Sequence, residues 1–300
     1  MAVRISTGRL AGAIAAAGGI GIIGASGMEL DELKNEINVA KSLARGGIFG
    51  INIMFAARDF FNVVNTAIRE KVDVIIAGAG FSRDIFKIAA GTGIKILPIV
   101  SSGRLAKTAR ICGADAIVVE GKEAGGHLGT DRPTLEILPE VMAEAGDLPV
   151  IAAGGLTTGK EICEALKLGA SGVQIATRFV LAEECNASKQ FKELYQRAKK
   201  EDVVLITSPV GLPGRSIKTE FVDKVLKDKA PKPVGCDYCL KHCSLKYCII
   251  QALINSQRGD VEHGIVFTGE NVWKIKNRTI RPAKEIFDEI VKEAEECYKP

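Results

Sequence analysis

Seven short runs of almost unbroken apolar residues mark the first 176 positions: "GIGII" (19–23), "FGINIM" (49–54), "VDVIIA" (72–77), "IKILPIV" (94–100), "ADAIVV" (114–119), "LPVIAA" (148–153) and "SGVQIA" (171–176). They do not alternate with polar residues, so each is expected to be a strand buried on both faces, as strands of parallel sheets are. Between them, helical patterns cover 28–44, 57–70, 82–90, 103–112, 135–145 and 160–168, and "STGRLAGAIAAAG" places one more helix ahead of the first run. Gly or Asp commonly stands at the joints, where such elements tend to end. The runs start roughly 20 to 35 residues apart, the length of a βα unit. Strict βα alternation predicts an α/β fold built on a parallel sheet.

A (β/α)8 or TIM barrel has eight strands, and only "MAVRI" precedes the leading helix. The expected fold is therefore a TIM barrel whose first strand is a short Ala2–Ile5 segment or is missing. An open doubly wound sheet would escape that shortage, but it would usually carry a glycine fingerprint after its first strand. Beyond Asn186 the pattern changes. A helix "ASKQFKELYQRAKKED", a strand-like "VVLITS", a Pro/Gly loop "PVGLPGRSIK", a cysteine-rich segment, a helix "YCIIQALINSQRG" and a charged closing helix "PAKEIFDEIVKEAEECYK" follow in turn. This divides the chain into a barrel domain over 1–200, open to completion by the C-terminal helices, and a small cap or lid over 201–300 that carries the cysteine cluster.

Charge and cysteine usage narrow the function classes. Forty basic against 36 acidic side chains give a net charge of +4, too balanced and too dispersed to imply nucleic acid. No run approaches the ~20 apolar residues of a membrane span, so no membrane role is expected. The N-terminal stretch imitates a signal peptide, but Arg9 interrupts it and Gly18-Gly19 splits it, so the cytoplasm is the expected compartment. A homodimer is a possible assembly. Four of the eight cysteines, Cys112, Cys163, Cys185 and Cys297, are scattered singly and read as buried small hydrophobes. The other four, Cys236, Cys239, Cys243 and Cys248, crowd into C-x2-C-x3-C-x4-C. In a cytosolic chain that crowding favours a metal over disulfides. Zinc or a [4Fe–4S] cluster would suit four thiolates, with His242 able to replace one, and the bland alternative is four reduced thiols on a helix. A cluster would supply an electron route, whereas zinc would pin the cap.

Candidate chemistry gathers at the strand ends, which form the active face of a parallel barrel. Those ends are polar or glycine-rich: Asn52, "AGAG" around Gly78, "VSSGR", "EGKEAGGH", "AAGGLTTG" and "QIATRF". The last two follow consecutive strands, where barrels often bind phosphate. Glycines there let backbone amides close on an anion, and the helix starting near Lys160 would offer its positive N-terminus; two tight βα turns are the plainer explanation. In "EAGGH" the glycines permit close backbone approach to a flat ligand and hold His127 at the mouth. The chain has only three histidines. His127 is thus a candidate to take or give a proton, or else a structural histidine.

Together, "EGKEAGGHLG", "IAAGGLTTG", "GVQIATRF" and "FGINIM" resemble the nitronate monooxygenase family, formerly called 2-nitropropane dioxygenases, which includes the flavin-dependent enoyl-acyl-carrier-protein reductases. The likeness covers roughly residues 1–190 and recurs weakly at "RGDVEHGIVFTG". It implies an FMN-binding TIM barrel and an FMN-dependent oxidoreductase. Gly154, Gly155, Ala176 and Thr177 match the family's FMN-phosphate loops. Asn52, Glu120, Gly125, Gly126 and Gln174 match positions around the flavin ring and ribityl chain, Gly78 and Ala153 complete the set, and His127 matches the catalytic histidine. The family's first strand typically ends in Gln-Gly-Gly-Met-Ala against the flavin, and Met1-Ala2 match its last two residues. Met1 is therefore expected to be an internal methionine of a longer natural chain, or the first strand to be damaged. Ala176 stands where the family commonly has glycine. "TSPVGLPGRSIK" is expected to lie over the pocket, with Arg215 a candidate for an anionic substrate group.

The resemblance implies three functions. One is oxidation of alkyl nitronates with O2 and His127 as base. A second is NAD(P)H-dependent reduction of an enoyl thioester, with NAD(P)H as co-substrate and an acyl-thioester or other small molecule as substrate. A third is a non-catalytic flavin- or metal-binding partner subunit, against which the intact Glu120–Gly129 element argues.

Overall fold

The computed structural model describes residues 3–298. The strands are β1 Gly21–Gly24, β2 Phe49–Met54, β3 Val74–Gly78, β4 Lys95–Val100, β5 Ile117–Glu120, β6 Gly126–His127, β7 Val150–Ala153, β8 Gly172–Gln174, β9 Val203–Thr207, β10 Pro213–Ile217 and β11 Val266–Phe267. The α-helices are α1 Gly8–Ala16, α2 Leu30–Leu43, α3 Phe60–Arg69, α4 Asp84–Ala89, α5 Gly103–Ile111, α6 Thr134–Ala145, α7 Gly159–Lys167, α8 Lys189–Arg197, α9 Glu220–Leu226, α10 Ile249–Arg258 and α11 Ala283–Tyr298.

Each of the seven apolar runs holds one strand of a single sheet, ordered β1-β2-β3-β4-β5-β7-β8 and parallel throughout. The runs lack alternation because both faces are covered. Val74, Ile76, Leu97, Val118 and Ala153 pack together in one cluster inside the barrel. Their chain neighbours Ile75 and Ile96, with Ile51 and Ile53 of β2, pack outward among the residues of α2 and α3. Ile75 is fully buried, and shortening such a residue to Val costs about 0.5–1.5 kcal/mol. The result is a TIM-barrel-like wall with helices outside and strand ends gathered at one mouth.

Among the described residues no strand forms over Val3–Ile5. Val3–Ile5 is a turn, with Val3 and Arg4 in the left-handed region, and Met1 and Ala2 lie outside the described residues. Among those residues β1 and β8 remain the two edges of the sheet. The turn is held down by the Arg4 guanidinium, which donates to both oxygens of Glu32 at 2.6 and 2.7 Å.

The C-terminal third departs from expectation at "PVGLPGRSIK". Pro213–Ile217 is not loop but the central strand of a second, antiparallel sheet, flanked by β9, β11 and β6. Pro213 opens the strand, a position where a missing N–H is tolerated. The turn before it is closed by Gly211, at φ +87°, and by the Ser208 amide donating to Leu212. Because β6 lies inside the "EGKEAGGH" loop, this sheet welds the cap to the barrel mouth, pairing His127 with Gly214 and Gly126 with Arg215. The closing helix α11 returns to pack on α7 and α1. There Cys163 and Cys297, read singly in the sequence, are joined as a disulfide with Cα atoms 6.1 Å apart.

Candidate active site

A cavity of about 1180 Å³ opens among the strand ends and runs into the barrel, roomy by the standard of small-molecule sites. Asn52, Gly78, Glu120, Gly125, Gly126, His127, Ala153, Gly154, Gly155, Gln174, Ala176 and Thr177 all line it. Strand register explains the convergence: Glu120 lies beside Ala153, and Ala153 beside Gln174. No Lys or Arg is among the described lining residues; the walls are mostly aliphatic.

The glycine-rich loops form one tied unit. Thr134, 1% exposed, stands at its centre. Its Oγ1 accepts from the Gly121 amide at 3.2 Å and lies 2.8 Å from the Ala153 carbonyl, 3.0 Å from that of Gly154 and 3.2 Å from Glu123 Oε2. A Cβ on Gly154 (φ +94°) would come within 3.0 Å of that Oγ1, so glycine is required both by conformation and by this close approach. Gly125 serves packing as well: a Cβ there would come within 2.7 Å of the Thr268 backbone.

The N-terminus of α7 is not free for an anion, contrary to the sequence expectation. Glu161 accepts from the Thr158 amide at 2.7 Å, and Glu293 of α11 accepts from the Gly159 amide at 2.8 Å. What stays open is the loop backbone. The amides of Gly154, Gly155, Leu156, Ala176 and Thr177 have no protein acceptor among the described residues, and all five residues line the cavity. Converging unpaired amides of this kind make a cradle for phosphate oxygens. Behind it Arg178, 5% exposed, binds Glu289 at 2.8 Å and Glu293 at 2.9 Å and donates to the Thr157 carbonyl at 3.4 Å.

Burial pushes two titratable groups that line the cavity toward their neutral forms. Burial pulls the His127 imidazole down to about 4, so it is neutral at pH 7. Burial also pushes the Glu120 carboxyl up to about 7. The His127 ring meets Phe267 edge-on at 5.2 Å, and its Nε2 lies 2.7 Å from Ser208 Oγ. Ser208 and Thr134 escaped the sequence reading because only tertiary pairing brings them to the site, and Arg178 because its partners lie more than 100 residues away. The serine sits in the segment "TSPVG" already read as lid.

Arg215, expected to meet an anionic substrate group, is not among the described residues lining the cavity. It is 7% exposed and donates to the carbonyls of Ala124 at 3.3 Å and Lys122 at 2.6 Å, with Glu270 at 3.5 Å. Its place on β10 turns it under the loop it braces. The expected metal centre is likewise not assembled: among the described residues no group of three His, Cys, Asp or Glu side chains could hold a metal ion. Cys236 and Cys243 are exposed, Cys239 and Cys248 half-buried, on a segment tied to the barrel by the Ala57–Leu240 bridge. Among the described residues no helix is long and apolar enough to cross a membrane.

Known proteins share this architecture. The solved structure of FabK from Thermotoga maritima aligns with a TM-score of 0.86 at 32% identity, covering 97% of this chain and 89% of that one. A nitroalkane oxidase from Streptomyces ansochromogenes, at 23% identity, aligns with a TM-score of 0.82 over 99% and 94% of the two chains and shares the fold. A curated relative from Mycobacterium tuberculosis, "(3aS,4S,5R,7aS)-5-hydroxy-7a-methyl-1-oxo-octahydro-1H-indene-4-carboxyl-CoA dehydrogenase", is 36% identical over 223 residues, 74% of this chain but only 62% of that protein's own length. The family model for nitronate monooxygenase matches residues 1–67 and 54–293. The chain therefore belongs to the nitronate monooxygenase family.

Proposed function

We propose that this protein is an FMN-dependent oxidoreductase acting on an uncharged, activated carbonyl substrate of the acyl-thioester class. The observation that carries the choice of substrate is the cavity wall, which is largely aliphatic and has neither Lys nor Arg among its described residues. Such a wall accepts an acyl chain and a neutral thioester; an anionic nitronate would find no counter-charge, since His127 is neutral as well. The likenesses agree in part: the Mycobacterium tuberculosis relative is named for a carboxyl-CoA substrate, and FabK is an enoyl-acyl-carrier-protein reductase.

FMN fits the residues present. The five open amides at 154–156 and 176–177 would hold its phosphate, and Asn52, Glu120 and Gln174 stand at the strand ends where its ring and ribityl chain would lie. When bound, FMN supplies the acceptance and return of a hydride equivalent. The chain does the rest. Val74, Ile76, Leu97 and Ile151 line the barrel interior and exclude water, His127 meets the substrate as a neutral imidazole, and the β6–β10 pairing keeps that ring in place.

The test is anaerobic. FMN-loaded protein reduced with NADH or NADPH is mixed with a short α,β-unsaturated acyl-CoA, and reoxidation is followed by absorbance. Rapid reoxidation supports the proposal. Turnover with propyl nitronate and O2 alone, which the family assignment keeps as the competing reading, would overturn it.

A further inference from the structure

The pairing of His127 with Ser208 decides which ring nitrogen carries the proton. Ser208 is 2% exposed and fixed in the β9–β10 turn, its amide donating to the Leu212 carbonyl and its carbonyl accepting from Gly211. Its Oγ accepts a 3.4 Å hydrogen bond from the Val210 amide and lies 2.7 Å from His127 Nε2. A serine hydroxyl has one proton to give. Among the described residues the only acceptor within reach of that proton is His127 Nε2. Were Nε2 protonated instead, Oγ would accept two donors while its own buried O–H pointed at nothing, the arrangement buried hydroxyls avoid.

We infer that Ser208 is a positioning residue that donates to His127 Nε2, fixing the Nδ1–H tautomer, so that the histidine offers the substrate a hydrogen-bond donor rather than a base. Nδ1 has no protein partner among the described residues, and the ring lines the cavity. A neutral imidazole N–H aimed at a carbonyl oxygen stabilises the negative charge that gathers there as hydride adds to the β-carbon of an unsaturated thioester. It cannot also remove a proton through the same nitrogen. The depressed basicity of the ring, caused by burial, matches this duty. The inference rests on the thioester reading for its substrate, while the tautomer stands on the hydrogen-bond geometry alone.

Histidine nitrogen NMR on FMN-loaded, 15N-labelled protein tests it. The chain has only three histidines, and His127→Gln identifies the relevant signals by subtraction. We expect the Nδ1–H pattern in the parent and a shift toward Nε2–H in Ser208→Ala, with FMN still bound by its absorbance. Ser208→Ala should lower thioester-dependent turnover by about tenfold or more, with KM little changed, and Ser208→Thr, which keeps the hydroxyl, should restore both tautomer and rate. An Nε2–H pattern in the parent, or an Nδ1–H pattern unaltered in Ser208→Ala, overturns the inference. A parent with the expected tautomer but no thioester turnover would overturn the thioester reading and leave the tautomer standing.

Discussion

Replacing Thr134 by Val keeps the shape of a 1% exposed side chain while deleting its oxygen. The hydroxyl has one proton, which goes best to the Ala153 carbonyl at 2.8 Å, and one acceptance, from the Gly121 amide at 3.2 Å. The amide keeps a second, longer partner in the same carbonyl at 3.3 Å. The variant thus loses one buried hydrogen bond outright and weakens another. Buried groups left unsatisfied cost about 1–3 kcal/mol each, so a net loss of about 2 kcal/mol is expected. Unfolding entropy of roughly 2.1 cal/mol/K per residue, scaled to this chain, converts that to a fall of about 3 °C in melting temperature. Glu123 keeps the Thr134 amide at 3.0 Å, but the Gly121 and Ala153 loops lose the oxygen that joins them, so FMN affinity should fall about tenfold while the fold persists. Thermal melts of the apoprotein and flavin-fluorescence titration measure the two effects. A variant that melts with the parent and binds FMN equally well would refute the idea that this hydroxyl ties the loops together.

Other perturbations separate the remaining roles. The unfolded His127 binds more protons than the native one between its native value of about 4 and the ordinary 6.5, so its contribution to stability falls as pH drops through that window. Glu120 runs the other way: raised to about 7, it favours the folded state at low pH and loses that contribution as pH rises from 4.5 through 7. Glu120→Gln should therefore unmask the histidine and lose more melting temperature than the parent between pH 6.5 and 5; parallel curves would contradict both assignments. Arg178→Met leaves Glu289 and Glu293 without their shared partner. Since both carboxylates keep some solvent contact, a loss of about 2–3 kcal/mol is expected, short of the full cost of breaking a buried pair, and added Glu289→Gln and Glu293→Gln changes should recover part of it. Arg215→Lys should lower stability by about 1–2 kcal/mol through its lost carbonyl bonds and leave substrate KM unchanged; a large rise in KM without destabilisation would return Arg215 to the substrate.

The wall of the barrel was legible because both-face burial writes a continuous apolar run, and strands such as Val74–Gly78 need nothing beyond that. Its cavity residues were legible for a related reason: strand ends that turn glycine-rich must face something other than core. The second sheet was hidden. A two-residue strand such as Gly126–His127 carries no period, and Pro213 disguised the strand it begins. Thr134, Ser208 and Arg178 each act across long sequence separations, where local composition is silent. The place of Arg215 was not legible, because an arginine in a Pro/Gly loop and one bracing a loop from a buried strand look alike until pairing is known. The cysteines misled in both directions, the crowded set forming no metal-binding group and two distant singles meeting across α7 and α11.

The carboxylates behind the phosphate cradle belong to α11, whose described residues run from 283 to 298. During synthesis the barrel strands emerge long before that helix does. Until it docks, Arg178 lacks both its partners and the Gly159 amide lacks its cap, so a nascent chain holds the glycine loops without their backing. Firm capture of the cofactor is therefore expected to wait for α11 to dock, and a chain cut short within this helix is expected to fold in part yet fail to retain its flavin.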